Sequence, residues 1–150
     1  MFVECAMSGE VSLPHGAKVL LDTAPVIYLL EDHPDFLPKF LPLFRRAEEG
    51  SLRILVTPIT VAEVLAGPLK AGREALAERY EQALREGLGW TVVPLDSGLA
   101  ARAARLRARY RLRLPDALQL AAALANGVAA LVTHDRDFGQ AVDEVPIWGA

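Results

Sequence analysis

Four acidic residues from distant segments have the types and positions that metal chemistry requires. Asp22 and Asp135 follow predicted strands, whereas Glu63 and Asp116 lie inside predicted helices that are otherwise apolar. Sites built only from oxygen ligands select hard cations such as Mg²⁺ or Mn²⁺. Such ions activate water and neutralise the leaving oxygen of a phosphodiester. We therefore predict that these four carboxylates meet and bind a catalytic divalent cation.

Asp22 and Glu63 each have a simpler interpretation. Asp22 opens the segment Asp22-Thr23-Ala24-Pro25 after the apolar run Val19–Leu21, so it could be an ordinary helix N-cap. Glu63 is surrounded in sequence by apolar residues, and a buried carboxylate is costly unless it is paired or metal-bound. The alternative for Glu63 is an exposed position on the helix surface.

Asp116 and Asp135 are the other two candidate ligands. Asp116 is the only acid in the apolar segment Leu114–Leu124, which predicts burial, although an acid in a first helical turn also interacts well with the helix dipole. Asp135 is preferred over Asp137 because it lies closer to the end of its strand. We keep Asp137 in reserve as a ligand, and we expect it to cap the turn that buries Phe138.

Short apolar runs alternate with helical periodicity along the chain and predict the elements that position these acids. This alternation is typical of a three-layer α/β sandwich with a central, mostly parallel sheet of about five strands flanked by helices. The strand-like runs are Val19–Leu21, Ile54–Val56, Thr91–Val93, Ala130–Val132 and Val145–Trp148.

The helical segments lie between these runs. Polar residues and prolines predict helices beginning near residues 23, 57 and 114, with the second one ending at Gly67-Pro68 and the third closed by Asn126-Gly127. Amphipathic helices are predicted over 73–86 and 97–110. Prolines at positions 34, 38 and 42 predict a broken helix or a hairpin of two short helices over 34–50.

Composition narrows the class of protein. A chain of 150 residues with 52% hydrophobic residues predicts one globular domain, and we divide it into an extension over 1–17 and a domain over 18–150. The net charge of −3 argues against bulk electrostatic binding of polyanions. Cys5 is the only cysteine, so no intramolecular disulfide can form, and we expect the protein in the reducing cytoplasm. We expect neither a secretory signal nor a membrane-spanning segment.

Four ordered motifs carry a family resemblance over about residues 18–148. The sequence resembles PIN-domain ribonucleases, and more narrowly the VapC-type toxins of bacterial and archaeal toxin–antitoxin pairs. It departs from the usual first motif at Ala24 and Pro25, where Asn or Ser is common, and its N-terminal extension is longer. The motifs are Leu20-Leu21-Asp22-Thr23, Thr60-Val61-Ala62-Glu63, Leu114-Pro115-Asp116-Ala117 and Leu131-Val132-Thr133-His134-Asp135-Arg136-Asp137-Phe138.

The resemblance implies an activity and a set of roles. The four acids would bind one or two Mg²⁺ or Mn²⁺ ions, while Thr23 and Thr133 would orient ligands or position substrate. The implied reaction is hydrolysis of RNA by metal-activated water, without a covalent intermediate. An antitoxin protein would mask the site, and a homodimer is expected.

Basic residues offer a second, separate feature. Arg102, Arg105 and Arg109 share one face of a predicted helix and could bind RNA phosphates. Because 13 of the 16 basic residues are arginine, the alternative is a solvated helix face in an arginine-rich chain. His134 adjoins a predicted ligand and is expected to lie exposed in the turn.

Three other functions compete with a metal-dependent ribonuclease toxin. A phosphatase with an aspartyl nucleophile would need a second Asp two residues after Asp22, where Ala24 stands. A non-catalytic PIN-like binding module would be expected to have lost one or more ligands, yet all four are present. A stand-alone housekeeping RNA-processing nuclease would keep the same site, so the sequence does not separate it from a toxin.

Overall fold

A parallel sheet of five strands forms the centre of the molecule. The computed structural model describes residues 2–4, 12–141 and 143–149. The strand order is β5-β4-β3-β6-β7, and each adjacent pair is parallel, which confirms the predicted sandwich. The strands are β3 (Ala17–Leu21), β4 (Leu52–Val56), β5 (Trp90–Val92), β6 (Ala130–Val132) and β7 (Ile147–Trp148); β1 (Phe2–Glu4) and β2 (Ser12–Pro14) form a separate antiparallel pair.

Helices cover both faces of this sheet. Their bounds are α1 (Thr23–Leu30), α2 (Leu37–Glu48), α3 (Pro58–Lys70), α4 (Glu74–Glu86), α5 (Ser97–Tyr110) and α6 (Leu114–Ala125), followed by a 3₁₀ helix over Arg136–Ala141. None of the helices formed by the described residues combines the length and the apolar character of a membrane span.

Alternation along β3 separates two hydrophobic cores. Val19 and Leu21 point into a core that contains Phe40 of α2, whereas Leu20 points into the opposite core with Leu120 of α6. All five side chains are fully buried. This alternation follows from the two-residue period of a strand, and it fixes α2 and α6 on opposite sides of the sheet.

The chain reverses its direction of travel across the sheet at β3. It moves from β3 to β4 and β5 on one side, and then crosses back to place β6 on the other side of β3. In open parallel sheets, ligands bind beside the carboxyl ends of the strands at such a reversal point. The segments that follow β3 and β6 therefore form the rim at which a site is expected, and they contain Asp22 and Asp135.

The prediction for residues 34–50 is wrong, because one continuous helix, α2, runs over Leu37–Glu48. Pro38 lies in the first turn, where the missing N–H has no helical partner. Pro42 lies inside the helix and removes one backbone hydrogen bond. Burial of the apolar face, including Phe40 and Phe44, offsets that loss.

The predicted end of the second helix is also wrong. Helix α3 continues through Gly67 and Pro68 to Lys70. Pro68 is itself buried and packs the last turn, so tertiary contacts outweigh the helix-breaking tendency of this pair. The end of α6 is as predicted, because Gly127 follows it with a positive φ of 60°.

The segment before β3 contributes to the first core. Leu13 is 1% exposed and belongs to the core cluster that contains Val19. The guanidinium of Arg46 donates to the Leu13 carbonyl at 2.9 Å and so fixes this segment against α2. Cys5 lies outside the described residues. The division of the chain at residue 17 stays a prediction.

Candidate metal centre

Asp22 is a buried carboxylate at the end of β3, with 9% of the residue exposed. It occupies the N-cap position of α1, but its side chain makes no capping hydrogen bond. Instead, Thr133 Oγ1 donates to Asp22 Oδ2 at 2.9 Å and Gln119 Nε2 donates to Oδ1 at 3.3 Å. The simple N-cap interpretation therefore does not describe this residue, because its side chain is held by Thr133, which follows β6, and by Gln119 of α6.

Gln119 organises the buried side of the site, and the sequence analysis missed it. Its amide donates to Asp22 and also to Thr60 Oγ1 at 2.8 Å, while its carbonyl accepts from Thr57 Oγ1 at 2.7 Å. The residue is 1% exposed. Its spacing of three residues from Asp116 places both polar side chains on one face of the apolar helix α6, which is the signal that could have found it.

Glu63 lies on α3 and is exposed, so the prediction of an apolar environment is wrong. Neighbours in sequence such as Val61 and Leu65 are themselves only half-buried, because this part of α3 faces outward. The Glu63 carboxylate nevertheless turns toward the end of β3, since Thr23 Oγ1 donates to its Oε1 at 2.7 Å. Thr23 follows Asp22 directly, and this bond brings Glu63 to the rim.

Asp116 lies in the first turn of α6 and is buried as predicted, with 5% exposed. Arg113, three residues earlier, donates from Nε to Asp116 Oδ2 at 3.2 Å. A second nitrogen of the same guanidinium lies 3.5 Å from Asp135 Oδ2. Arg113 thus bridges two of the predicted ligands, although its own side chain is 73% exposed.

Asp135 is half-buried beyond β6. Its backbone N–H donates to Thr133 Oγ1 at 2.9 Å, so a single hydroxyl links it to Asp22. Its Oδ1 accepts from the backbone N–H of Asp137 at 2.9 Å. The carboxylate that caps the turn before buried Phe138 is therefore that of Asp135, in place of the predicted Asp137, whose side chain is exposed.

The acids influence one another electrostatically. Burial raises the pKa of Asp22, and the charge of Glu63 raises it further, against hydrogen bonds from Thr23, Thr133 and Gln119. Burial also raises the pKa of Asp116; the charges of Asp22 and Asp135 add to the rise, while Arg113 opposes it. Across the described residues, no Lys or Arg lies within salt-bridge distance of Asp22 or Glu63.

The donor set fits a hard cation. All four side chains offer carboxylate oxygens, and two of them are buried. The negative charges repel one another, and the described basic side chains do not neutralise all of them. In the part of the chain that the structure describes, no three Asp, Glu, His or Cys side chains are close enough to hold an ion as they stand. A cation shared by Asp116 and Asp135 would displace Arg113 from between them.

The three arginines of the predicted basic face do not reach these acids. Arg102, Arg105 and Arg109 are exposed along α5. Arg109 pairs with Glu144 at 3.5 Å, and Arg105 donates to the carbonyl of Ala101 at 3.3 Å. The arginine that contacts the site is Arg113, and its spacing of three residues before Asp116 was the available signal.

An aromatic cluster lies beside the site, formed by Tyr28, His33, Phe36, Phe40 and His134. The Tyr28 hydroxyl lies 2.7 Å from His134 Nδ1. His134 is half-buried, which differs from the exposed position expected. Burial lowers the pKa of His134, and the charges of Lys39 and Arg136 lower it further.

The four carboxylates lie at the rim of the sheet, outside a groove between α1, α3 and α4. A groove of about 580 Å³ is lined by residues that include Leu30, Pro68 and Tyr80, and it contains none of the four acids. Sites for small molecules are usually enclosed clefts. An exposed edge with buried carboxylates instead suits a large substrate that lies across the surface.

Comparison with solved structures finds the same architecture in other proteins. VapBC2 from Rickettsia felis, bound to a DNA fragment from its promoter, has a TM-score of 0.68 at 17% identity, covering 87% of this chain and 96% of that one. VapC20 of Mycobacterium tuberculosis, a toxin that cleaves the sarcin–ricin loop, has a TM-score of 0.67 at 15% identity, covering 85% and 97%. A toxin–antitoxin complex from Klebsiella pneumoniae has a TM-score of 0.61 at 25% identity, covering 80% and 89%.

Sequence comparison identifies the family. No curated protein matches the chain significantly by sequence. The family model of the PIN domain matches residues 19–144, which include strands β4, β5 and β6, helices α1 to α6 and all four predicted ligands. The chain belongs to the PIN domain family.

Proposed function

We propose that this protein is a divalent-metal-dependent endoribonuclease that hydrolyses RNA phosphodiester bonds and serves as the toxin of a toxin–antitoxin pair. The observation that carries the proposal is the rim where Asp22 and Asp116 are buried and where neither Asp22 nor Glu63 has a basic partner among the described residues. Carboxylates in such a position cost stability unless a cation compensates them. Two buried carboxylates, linked to Glu63 through Thr23 and to Asp135 through Arg113, therefore support a cation site.

Each residue has a role that follows from its contacts. Mg²⁺ or Mn²⁺, when bound, supplies an activated water and stabilises the charge that develops on the phosphate. Asp22 would hold the ion from the buried side, since Thr133 and Gln119 fix both of its oxygens. Asp116 would hold it from α6. The hydroxyls of Thr23 and Thr133 would orient the carboxylates of Glu63 and Asp22.

Glu63 and Asp135 would complete the site from its exposed side. Both side chains reach the solvent, so they could contact an ion and its water molecules on the side where RNA would bind. Asp137 is exposed next to them and stays in reserve as a further ligand. Arg102, Arg105 and Arg109 are free of contact with the acids, and they remain candidates for phosphate binding at a distance from the reacting bond.

The comparisons support a nuclease of the toxin type. VapC20 is a toxin that cleaves the sarcin–ricin loop, and the structure from Klebsiella pneumoniae is a toxin–antitoxin complex. By analogy, this chain would act in the cytoplasm, pair with a small antitoxin that covers the rim, and form a homodimer. The analogy is one of fold, so each of these properties is part of the proposal.

A cleavage assay tests the proposal. Purified wild type should cleave a mixture of cellular RNAs with Mn²⁺ or Mg²⁺, and EDTA should abolish cleavage. Asp116→Asn, which is nearly isosteric, should lower the rate by at least about 100-fold, the scale expected when a group that stabilises transition-state charge is lost. The matched control is Asp96→Asn, because Asp96 caps α5 by accepting from the Leu99 N–H, and Asn caps equally well.

The alternatives differ in RNA cleavage, in stabilisation by Mn²⁺ or in growth arrest of producing cells. A non-catalytic PIN-like binding module would be stabilised by Mn²⁺ and yet cleave no RNA under any condition. A housekeeping nuclease would cleave RNA but would not arrest growth when produced without a partner protein. Equal cleavage by Asp116→Asn and Asp96→Asn would contradict the proposed site.

A further inference from the structure

Phe36 stands out among the aromatic residues because 41% of it is exposed. Its ring is stacked on that of His33, with centroids 4.7 Å apart and planes inclined by 18°. The centroid of the His134 ring lies 4.9 Å from that of Phe36 in an edge-on arrangement. The centroid of the Tyr28 ring lies 5.1 Å from it. Phe36 is thus held in one orientation by three rings while part of its own surface faces solvent.

This cluster is joined to the carboxylate rim through the chain itself. His134 lies between Thr133, which donates to Asp22, and Asp135. Tyr28 belongs to α1, the helix that begins directly after Asp22, and its hydroxyl contacts His134 at 2.7 Å. The exposed ring of Phe36 is therefore only one side chain away from the turn that carries a predicted metal ligand.

Positive charge flanks the cluster. Lys39 lies on α2 with its Nζ 5.7 Å from the Phe40 ring centroid, where it donates to the carbonyl of Gly149 at 2.6 Å, and Arg136 follows Asp135 in the turn. An exposed aromatic surface beside two cations matches single-stranded RNA, in which flat bases alternate with phosphates.

We infer that Phe36, supported by His33 and His134, is a stacking site for an unpaired nucleobase of the RNA substrate. This inference rests on the proposed ribonuclease function and adds a binding site to it. A base stacked there would place the adjoining phosphates toward Lys39 and the carboxylate rim. Any base can stack on an aromatic ring, because every base has a flat face. This site therefore contributes affinity and fixes the register of the RNA, whereas other groups determine sequence specificity.

The test measures RNA binding without cleavage. In an Asp116→Asn background, fluorescence anisotropy of a labelled single-stranded oligoribonucleotide gives the dissociation constant. Phe36→Ala should weaken binding roughly 5- to 100-fold, the range expected for the loss of one stacked base. Phe36→Leu keeps the apolar bulk and the packing, and it should weaken binding comparably. Phe36→Trp should retain the affinity of the parent.

Leu88→Ala is the matched control, because Leu88 is 72% exposed and lies after α4 without belonging to the cluster. It should leave RNA affinity unchanged. Equal affinities for Phe36→Ala, Phe36→Leu and Leu88→Ala would overturn the inference. So would a shift in oligomeric state by Phe36→Ala with unchanged RNA affinity, which would make the cluster a protein interface. The proposed ribonuclease function fails separately, through absence of cleavage by the wild type.

Discussion

The site has an inner half and an outer half that are built differently. In the inner half, Asp22 and Asp116 are buried, and Gln119 and Thr133 hold both oxygens of Asp22. In the outer half, Glu63 is exposed, and one 2.7 Å hydrogen bond from Thr23 holds its carboxylate. The fold fixes the inner half through these hydrogen bonds, whereas the Glu63 side chain of the outer half is exposed to solvent.

Ionising the buried acids of the inner half costs free energy. Burial raises the pKa of Asp22 and of Asp116, which means that the fold resists ionising the groups that a cation needs ionised. The outer acids, Glu63 and Asp135, remain close to water. Substitutions in the inner half should therefore change stability and activity together, and those in the outer half should change activity or metal affinity alone.

The largest stability effect is expected from Gln119→Leu. This change keeps the side-chain volume but leaves Thr57 and Thr60 without their buried partner and removes a donor from Asp22. We expect a loss of about 2 to 4 kcal/mol in the free energy of unfolding, from the cost of buried unsatisfied groups. Urea denaturation measures it.

The control for Gln119→Leu is Gln82→Leu. Gln82 is exposed on α4, and among the described residues its side chain bonds to Glu86 alone, at 3.1 Å, so the variant should lose no more than about 0.5 kcal/mol. If both variants unfold at the same urea concentration, the buried network does not stabilise the inner half.

An intermediate effect should appear in the pH dependence of metal-free protein. Because burial raises the pKa of Asp22 above 3.8, folded Asp22 keeps its proton to higher pH than unfolded Asp22 does. The folded state therefore loses stability as the pH rises from 3.8 through the raised value. Asp22→Asn, which cannot ionise, should melt above the wild type at pH 7.5, and the difference should shrink as the pH falls toward 4.

Thermal unfolding from pH 4 to pH 8 in EDTA measures this difference, with Asp96→Asn as the control that should follow the wild type. Each kcal/mol gained corresponds to ~2–4 °C in a domain of this size. A variant that melts below the wild type across the whole pH range would show that the Asp22 charge stabilises the fold.

The smallest effect is expected in the outer half, from Arg113→Gln. The Arg113 guanidinium contacts Asp116 at 3.2 Å and Asp135 at 3.5 Å, so it competes with a cation for the same oxygens. Exposed ion pairs contribute about 0.2–1 kcal/mol, so removing this one should tighten Mn²⁺ binding by up to roughly fivefold. Calorimetric titration measures it, with Arg102→Gln as the control, and weaker binding would mean that Arg113 orients Asp116 for the metal.

The sheet and the buried acids were predictable for a physical reason. Short apolar runs such as Val19–Leu21 and Ala130–Val132 are buried on both faces of a parallel sheet, so their sequence alone predicts strands. Asp22 follows such a run, which predicts its place at the rim. Asp116 is buried as expected because most sides of α6 are covered.

Other features depend on contacts that a single sequence does not contain. The apolar residues around Glu63 predicted burial, but this part of α3 is half-exposed, and a helix sequence does not state which faces are covered. The prolines of α2 predicted a break, yet burial of Phe40 and Phe44 holds the helix together. The contacts of Gln119 depend on the packing of α6 against β3, and its spacing of three residues from Asp116 is the sequence signal for them.

Thermal unfolding of wild type and Asp22→Asn, with and without Mn²⁺ at pH 7.5, tests the metal site most directly. Without metal, Asp22→Asn should be the more stable protein, because the wild type carries a buried charge. A saturating ion stabilises the folded state by about 2.7 kcal/mol at 100 times the dissociation constant, so Mn²⁺ should raise the wild type above the variant. If Mn²⁺ shifts both proteins equally, or neither, Asp22 does not bind the ion and the central claim is wrong.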